Sequence, residues 1–125
     1  MTGWELTEEL SKRSRGFFEF IMPAIDMVEE GNELVVSIEL PGFAKDDINL
    51  KIVENILTIN AKRKEEEIHH YGTTYYKQRP LQIKRKVVLP ILTKDDETIV
   101  GTAKYENGVI TLRIPLPSSS HIPIM

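Results

Sequence analysis

Residues 103–112, Ala-Lys-Tyr-Glu-Asn-Gly-Val-Ile-Thr-Leu, contain the strongest structural signal in this chain. Asn107 and Gly108 both tolerate a positive φ, and such a pair between two β-prone segments is typical of a two-residue hairpin turn. The segments 99–106 and 109–114 are therefore predicted to pair as antiparallel strands. The apolar side chains expected to face the core alternate along the second strand: Ile110, Leu112 and Ile114.

The same period of two recurs upstream of this hairpin. Apolar and more polar residues alternate along 34–40, 48–52 and 57–61, and Glu54-Asn55 makes a tight turn between the last two segments. Short alternating segments with turn signals about every eight to twelve residues are typical of a two-layer β-fold. We therefore predict an all-β protein, an immunoglobulin-like antiparallel β-sandwich over residues 23–116.

Residues 1–22 follow a different pattern and are predicted to form a helical arm. Thr2 and Glu5 stand at the spacing of a capping box, and Pro23 ends the helical pattern. The apolar residues of the arm that we expect to meet partners or unfolded protein are Trp4, Leu6, Leu10, Phe17, Phe18, Phe20 and Ile21. The alternative is a helix that packs its apolar face on its own domain.

Residues 64–80, the long loop, exceed an ordinary connection in a compact sandwich, because loops above about 12 to 15 residues are uncommon unless they are functional or disordered. The centre of the loop, Thr73-Thr74-Tyr75-Tyr76, is rich in residues that favour strands. We expect this segment to leave its own domain and pair with a sheet edge of a second subunit, which makes a strand-swapped dimer. The alternative is a mobile charged loop.

Residues 117–125 are predicted to form a short extended tail. Pro117 and the three serines after it make a polar tether, and Ile122 and Ile124 then flank Pro123. Proline holds the segment extended, so the two isoleucines project in the same direction and suit neighbouring hydrophobic pockets. We predict that Ile122, Pro123 and Ile124 are an anchor for a groove on another molecule; the alternative is a frayed apolar end.

Arg85 stands where the strand pattern calls for an apolar residue, on the same predicted face as Ile83 and Val87. A charge in such a place is costly unless it has a partner. We predict an acidic or backbone-carbonyl partner, in the core or at a dimer interface. The alternative is a strand-edge arginine that extends into water.

Composition and charge exclude several classes of function. The chain has 125 residues, no cysteine and a formal net charge of -3, which argues against a coat for nucleic acid and leaves no disulfide or thiolate site. No stretch approaches the roughly 20 apolar residues of a membrane span, so we expect no stable membrane insertion. A reducing cytoplasm is the simplest location. Adjacent His69 and His70 would point to opposite sides of a strand, and no metal site, cofactor or catalytic residue is predicted.

Several of these segments together resemble the α-crystallin domain of small heat shock proteins, the Hsp20 family. The similar segments are 40–43 and 52–63 in the front half, 85–90 as the arginine strand, 103–112 as the signature hairpin and Ile122-Pro123-Ile124 as the C-terminal anchoring motif. They occur in the order of the family and extend from about residue 23 to the end. The short arm and the lack of cysteine suggest an archaeal or bacterial-type member.

The resemblance implies an ATP-independent chaperone, a holdase, that works as a dynamic homo-oligomer of dimers, binds unfolding client proteins and has no catalytic activity. It implies a dimer interface formed by Thr73, Thr74, Tyr75, Tyr76, Arg85, Ile25 and Met27. It also implies a groove that receives the anchor of another dimer, formed by Leu50, Ile52, Val53, Val100 and Ala103.

Two other functions remain open from the sequence. A co-chaperone or adaptor of the related sandwich type would be a monomer or dimer that binds one folded partner. A small β-sandwich enzyme or ligand-binding module would need a polar pocket with convergent acids or aromatic residues.

Overall fold

The computed structural model describes residues 3–64, 72–91, 100–117 and 124. These residues form one helix and seven strands: α1 (Gly3–Ile21), β1 (Ile25–Glu30), β2 (Glu33–Glu39), β3 (Ile48–Val53), β4 (Ile56–Lys62), β5 (Gln82–Val88), β6 (Thr102–Glu106) and β7 (Val109–Pro115). A 3-10 turn at Lys45–Asp47 leads into β3. The predicted fold, a helical arm followed by an all-β domain, is confirmed.

The strands form two antiparallel sheets that pack face to face. One sheet has the order β1-β2-β7-β6 and the other the order β3-β4-β5. The Asn107-Gly108 turn joins β6 to β7, with φ values of 53° and 77°, as the sequence predicts. The first strand of this hairpin begins at Thr102 and not at residue 99 as predicted; Gly101 lies directly before it, and glycine weakens a strand because it has no side chain to pack.

The core lies between the two sheets and consists of the side chains that the alternation predicts. In β2 and β7, Val36 and Leu112 stand opposite each other, and in β3 and β4, Leu50 stands opposite Ile59. The fully buried side chains come from both layers and include Val36, Ile38, Leu57, Ile59 and Ile114. Burial of such side chains supplies the main stabilisation of the sandwich.

The turn after β2 is fastened to the β6–β7 hairpin. The Leu40 amide donates to the Gly108 carbonyl at 2.7 Å, and the Tyr105 hydroxyl lies 2.8 Å from the carbonyl oxygens of Leu40 and Phe43. Position 108 favours glycine for two reasons. Its φ is positive, and a Cβ there would lie 3.1 Å from the Pro41 Cα. The Leu-Pro-Gly-Phe segment and the hairpin therefore form one packed unit.

The outer strands β1 and β5 lie on the same side of the sandwich, and helix α1 is attached there. On one side, Arg85 of β5 donates a hydrogen bond to the carbonyl of Pro23, which leads into β1, so the β1 and β5 edges lie together. Helix α1 is attached to the same side, because the Glu19 carboxylate accepts a hydrogen bond of 2.8 Å from the Gln82 amide. The β3 and β6 edges consequently lie on the opposite side of the sandwich.

Candidate assembly and client-binding surfaces

The β3 edge contains apolar side chains that its own sheet does not cover completely. Leu50 and Ile52 stand opposite buried residues of β4 and face the core, yet both are only half-buried. Val53 faces the other way, as the alternation along β3 requires, and its side chain is 54% exposed. The structure therefore groups Leu50 with Ile52 and separates Val53 from them.

The β6 edge contains the second set of residues that are predicted to form the groove, Val100 and Ala103. Ala103 stands opposite the buried Leu112 and so occupies a core-facing position, but it is exposed because β6 ends its sheet. Val100 precedes the strand and is 69% exposed. β3 and β6 are the outer strands on the same side of the sandwich, and Leu50, Ile52 and Ala103 occupy core-facing positions on them without being fully buried. We refer to these three residues as the rim. Sequence alternation alone predicts their inward direction but not their incomplete burial.

Most of the predicted anchor lies outside the described residues. Ile122 and Pro123 fall outside the described residues, and Ile124 is 98% exposed. The predicted contact between anchor and groove stays a prediction.

The long loop is described from residue 72 onward. Residues 72–80 contain no strand, and Thr73 and Thr74 are exposed. The side chains of Tyr75 and Tyr76 are 70% and 72% exposed. The segment predicted to pair with a second subunit thus lies on the surface of the single chain.

The predicted acceptor of that segment is the outer strand of the four-stranded sheet. Within the described ranges, β1 pairs only with β2, so its other edge presents backbone groups outward. Ile25 and Met27 stand opposite Ile38 and Val36, are half-buried and pack against the core. These two side chains face inward, and the surface that β1 offers to a second copy is therefore chiefly its backbone edge.

Arg85 has the type of partner that the sequence predicts. Its Nη1 donates to the Pro23 carbonyl oxygen at 3.0 Å. In the register of the sheet, Arg85 stands opposite the buried Ile59, so its strand position is core-facing. The side chain is nevertheless exposed, because β5 is an edge strand and the guanidinium extends toward the β1 side.

Helix α1 leaves much of its apolar surface open. Phe17 and Phe20 are 59% and 84% exposed, and Leu10 and Ile21 are exposed as well. Phe18 is half-buried and meets Phe17 edge to face, with ring centroids 5.9 Å apart. The side chains of Trp4 and Leu6 lie outside the described ones. Helix α1 contacts β5, while Phe17 and Phe20 face solvent; a role of the arm in binding partners or unfolded protein stays a prediction.

An apolar row on the outer face of the second sheet was not predicted. Val53, Ile56 and Val88 stand side by side across β3, β4 and β5, and all three are exposed. In each of the three strands, the other residues that face outward are polar. An apolar residue at an outward-facing position is therefore the sequence signal that could have identified this row. The row enlarges the apolar surface that this chain exposes.

Two kinds of feature are absent from the described part of the chain. No group of three or more His, Cys, Asp or Glu side chains there is placed to hold a metal ion. No helix there is long and apolar enough to cross a bilayer.

Comparison with known proteins identifies the family. The model of the Hsp20/alpha crystallin family matches residues 26–124. The chain belongs to this family. Its small heat shock protein relatives include Small heat shock protein C4 of Rickettsia felis, 32% identical over 82% of this chain and 61% of the relative. The 18 kDa heat shock protein of Streptomyces albus G is 32% identical over 89% of this chain and 76% of the relative. This chain thus spans less than two thirds of the Rickettsia felis protein.

Solved structures of small heat shock proteins share the fold. A point mutant of hsp14.1 from Sulfolobus solfatataricus P2 is 46% identical, with a TM-score of 0.72, over 95% of this chain and 94% of the other. A small heat-shock protein from Xylella fastidiosa, which has a distinct high order structure, is 25% identical, with a TM-score of 0.63, over 83% of this chain and 94% of the other. The α-crystallin resemblance of the sequence is therefore confirmed.

Proposed function

We propose that this protein is an ATP-independent holdase that binds unfolding proteins and prevents their aggregation. The observation that carries the proposal is the exposure of Phe17 and Phe20 on a helix that is attached to the sandwich of a small heat shock protein. Exposed aromatic side chains on one helix suit the apolar segments that unfolding proteins expose. We expect the protein to act in the cytoplasm, where a chain without cysteine needs no oxidising compartment.

The working form in this proposal is a homo-oligomer built from strand-swapped dimers. Residues 72–80 of one copy would add a strand to the free edge of β1 in a second copy, and main-chain hydrogen bonds would hold the pair together. The exposure of Tyr75 and Tyr76 and the free edge of β1 support this arrangement. The high order structure of the Xylella fastidiosa relative supports assembly beyond the dimer.

The anchor would link dimers through the rim formed by Leu50, Ile52 and Ala103. Burial of each isoleucine contributes about 1.5 to 3 kcal/mol, whereas ordering each tail residue costs roughly 1 kcal/mol or more. One link is therefore marginal. Many links in a closed assembly act together, so the oligomer persists while single anchors open and subunits exchange.

Light scattering from a heat-labile client tests the activity. The client is warmed with an equal mass of this protein and no nucleotide, and a parallel sample contains the same mass of an inert protein. We expect this protein to suppress the rise in scattering, because bound client does not reach other unfolded molecules. Scattering equal to that of the inert control, at temperatures that span the working range of the protein, would overturn the proposal.

A further inference from the structure

The outer faces of the two sheets differ in charge. Alternate residues of β3, β4 and β5 face the core, so the residues between them point outward. These outward positions contain no acidic residue, and they include four exposed lysines: Lys51, Lys62, Lys84 and Lys86. We call this surface the basic face. Glu54 lies beyond its end, in the turn between β3 and β4.

The outward positions of β1, β2, β7 and β6 form an acidic face. Its acidic residues are Asp26, Glu30, Glu33, Glu39 and Glu106. Its basic residues, Lys104 and Arg113, are already paired there, with Glu106 at 3.4 Å and with Glu33 at 3.5 Å. Within the described residues, Asp26, Glu30 and Glu39 form no ion pair, and all three are exposed. The acidic face therefore offers three carboxylates to a cationic partner.

The basic face combines lysines with apolar side chains. Lys51 and Lys86 stand on either side of Thr58 in one row across the sheet, and neither forms an ion pair with any described residue. The neighbouring row, two residues away along each strand and thus at about 6.8 Å, is the apolar one: Val53, Ile56 and Val88. Helix α1 is attached at Gln82, the opposite end of β5 from Val88, and Val88 is 68% exposed.

The acidic face has the same spacing between apolar and charged side chains. Val28 stands opposite Val35 in the register of β1 and β2, and Val28 is 52% exposed. Asp26 and Glu30 lie two residues before and after Val28 on the same strand, again about 6.8 Å away. When the apolar row of the basic face meets this valine pair, the lysines beside the row therefore come within reach of carboxylates.

We infer that the basic face of one copy of this chain packs on the acidic face of a second copy. Lys51 and Lys86 of one copy approach Asp26 and Glu30 of the other. Two basic or two acidic faces repel each other, so charge decides which faces meet. Because unlike faces meet, each pair of copies keeps one basic and one acidic face free, and the contact continues from copy to copy until a ring closes.

This contact is separate from the links proposed above, because it uses neither the anchor nor the long loop, and it does not depend on client binding. It is small and largely polar, so it is weak by itself and should form at high protein concentration. In a large assembly it adds to the stronger links.

Sedimentation equilibrium of full-length charge-reversal variants tests the inference over a series of protein concentrations. Every sample carries Ile122→Ala with Ile124→Ala, which removes the proposed anchor, and the protein with only these two changes is the parent. Each variant is compared with its own smallest species at low concentration. Failure of the anchor or of the swapped dimer is therefore distinguishable from failure of the contact between faces.

The variants reverse one face, the other, or both. The basic-face variant adds Lys51→Glu with Lys86→Glu, and the acidic-face variant adds Asp26→Lys with Glu30→Lys. The exchanged variant contains all four changes, so its net charge equals that of the parent while the two faces have exchanged part of their charge.

A further variant controls for net charge. Lys12→Glu with Lys45→Glu makes the same change in charge as the basic-face variant, at exposed positions outside both faces. It should associate nearly as strongly as the parent, because exposed charges outside the contact contribute little to it.

The parent should associate at high concentration at an ionic strength of about 0.1 M and less at about 1 M, because salt screens charges between exposed faces. The basic-face and acidic-face variants should each need at least about tenfold more protein for the same association, since like charges then meet. The exchanged variant should recover the association of the parent.

Three results would overturn the inference. The parent may show no association above its smallest species at any concentration, or the exchanged variant may stay as weak as the two single-face variants. The third result is equal weakening in the basic-face variant and the Lys12→Glu with Lys45→Glu control, since association would then follow net charge alone.

Discussion

At the scale of single residues, Arg85 is a charge at a core-facing strand position. Its neighbour across the sheet is the buried Ile59, yet its guanidinium donates to the Pro23 carbonyl beside the β1 edge. The side chain is exposed to solvent and not buried in the core, because β5 is an edge strand. Arg85 thus links the two edges that lie on the same side of the sandwich.

Replacing Arg85 with glutamine should lower the thermal unfolding temperature by a few degrees. The loss of a charge-assisted hydrogen bond at a partly exposed site corresponds to about 1 kcal/mol. Lys84→Gln is the matched control, since Lys84 is exposed on the same strand, and it should leave the unfolding temperature nearly unchanged. Equal unfolding temperatures for Arg85→Gln and the unchanged protein would show that the bond to Pro23 does not stabilise the fold.

Sequence reasoning predicts residue positions well where they depend on local alternation. It places Ile110, Leu112 and Ile114 in the core, and it predicts an acidic or backbone-carbonyl partner for Arg85, of which the structure shows the carbonyl. Exposure depends on sheet order, which long-range pairing decides, so the sequence does not reveal that Arg85 is on an edge strand. Val53 is different, because its alternation with Ile52 already indicates that it faces away from the rim.

At the scale of secondary-structure elements, α1 protects part of an exposed sheet edge. The Glu19 carboxylate accepts a hydrogen bond from the Gln82 amide at the start of β5. A free edge amide is a site for pairing with other chains. The contact therefore attaches the arm to the domain and occupies one backbone donor.

Glu19→Ala should expose that amide to solvent. Loss of the bond should cost about 1 kcal/mol locally, which corresponds to roughly a fivefold faster exchange of the Gln82 amide hydrogen. Lys12→Ala is the control, because it likewise replaces a charged residue of α1 with alanine, at an exposed position. Hydrogen exchange followed by NMR checks the result. Unchanged exchange at Gln82 in Glu19→Ala would contradict the account of how α1 is attached.

The long loop gives a second test at this scale. A strand that pairs along one edge directs alternate N–H groups toward its neighbour, and proline removes one of them. One of the two single variants Thr74→Pro and Tyr75→Pro should therefore weaken the dimer, while the other should have a much smaller effect. Sedimentation at low concentration measures this. If both variants keep the mass of the unchanged protein, residues 73–76 do not form the swapped strand.

The elements themselves were predictable to different degrees. The β6–β7 hairpin follows from Asn107-Gly108, whose positive φ values are a local requirement. β6 starts at Thr102, directly after Gly101, where the backbone passes close to β7; this close approach is a tertiary feature without a local signal. Attachment of α1 to β5 depends on the meeting of Glu19 and Gln82, 63 positions apart, and has no local signal.

At the scale of the whole molecule, assembly should depend on the anchor. Ile122→Ala with Ile124→Ala removes the apolar side chains of the proposed link but leaves the sandwich unchanged. We expect native mass spectrometry to show dimers in place of larger oligomers. Ile56→Ala with Val88→Ala is the control, since it removes two exposed apolar side chains from the outer face of the β3-β4-β5 sheet, and it should keep the large assembly. Equal masses for the anchor variant and the unchanged protein would exclude the proposed link.

The most direct test of the central claim is the size of what the client forms with this protein. A heat-labile client is mixed with an equal mass of the protein, without nucleotide, and one portion is warmed while the other stays cool. Size-exclusion chromatography with light scattering then measures each portion. The account predicts that the client elutes in a soluble complex with this protein only after warming. Client that precipitates while the protein elutes by itself, or cool folded client that binds equally well, would contradict it.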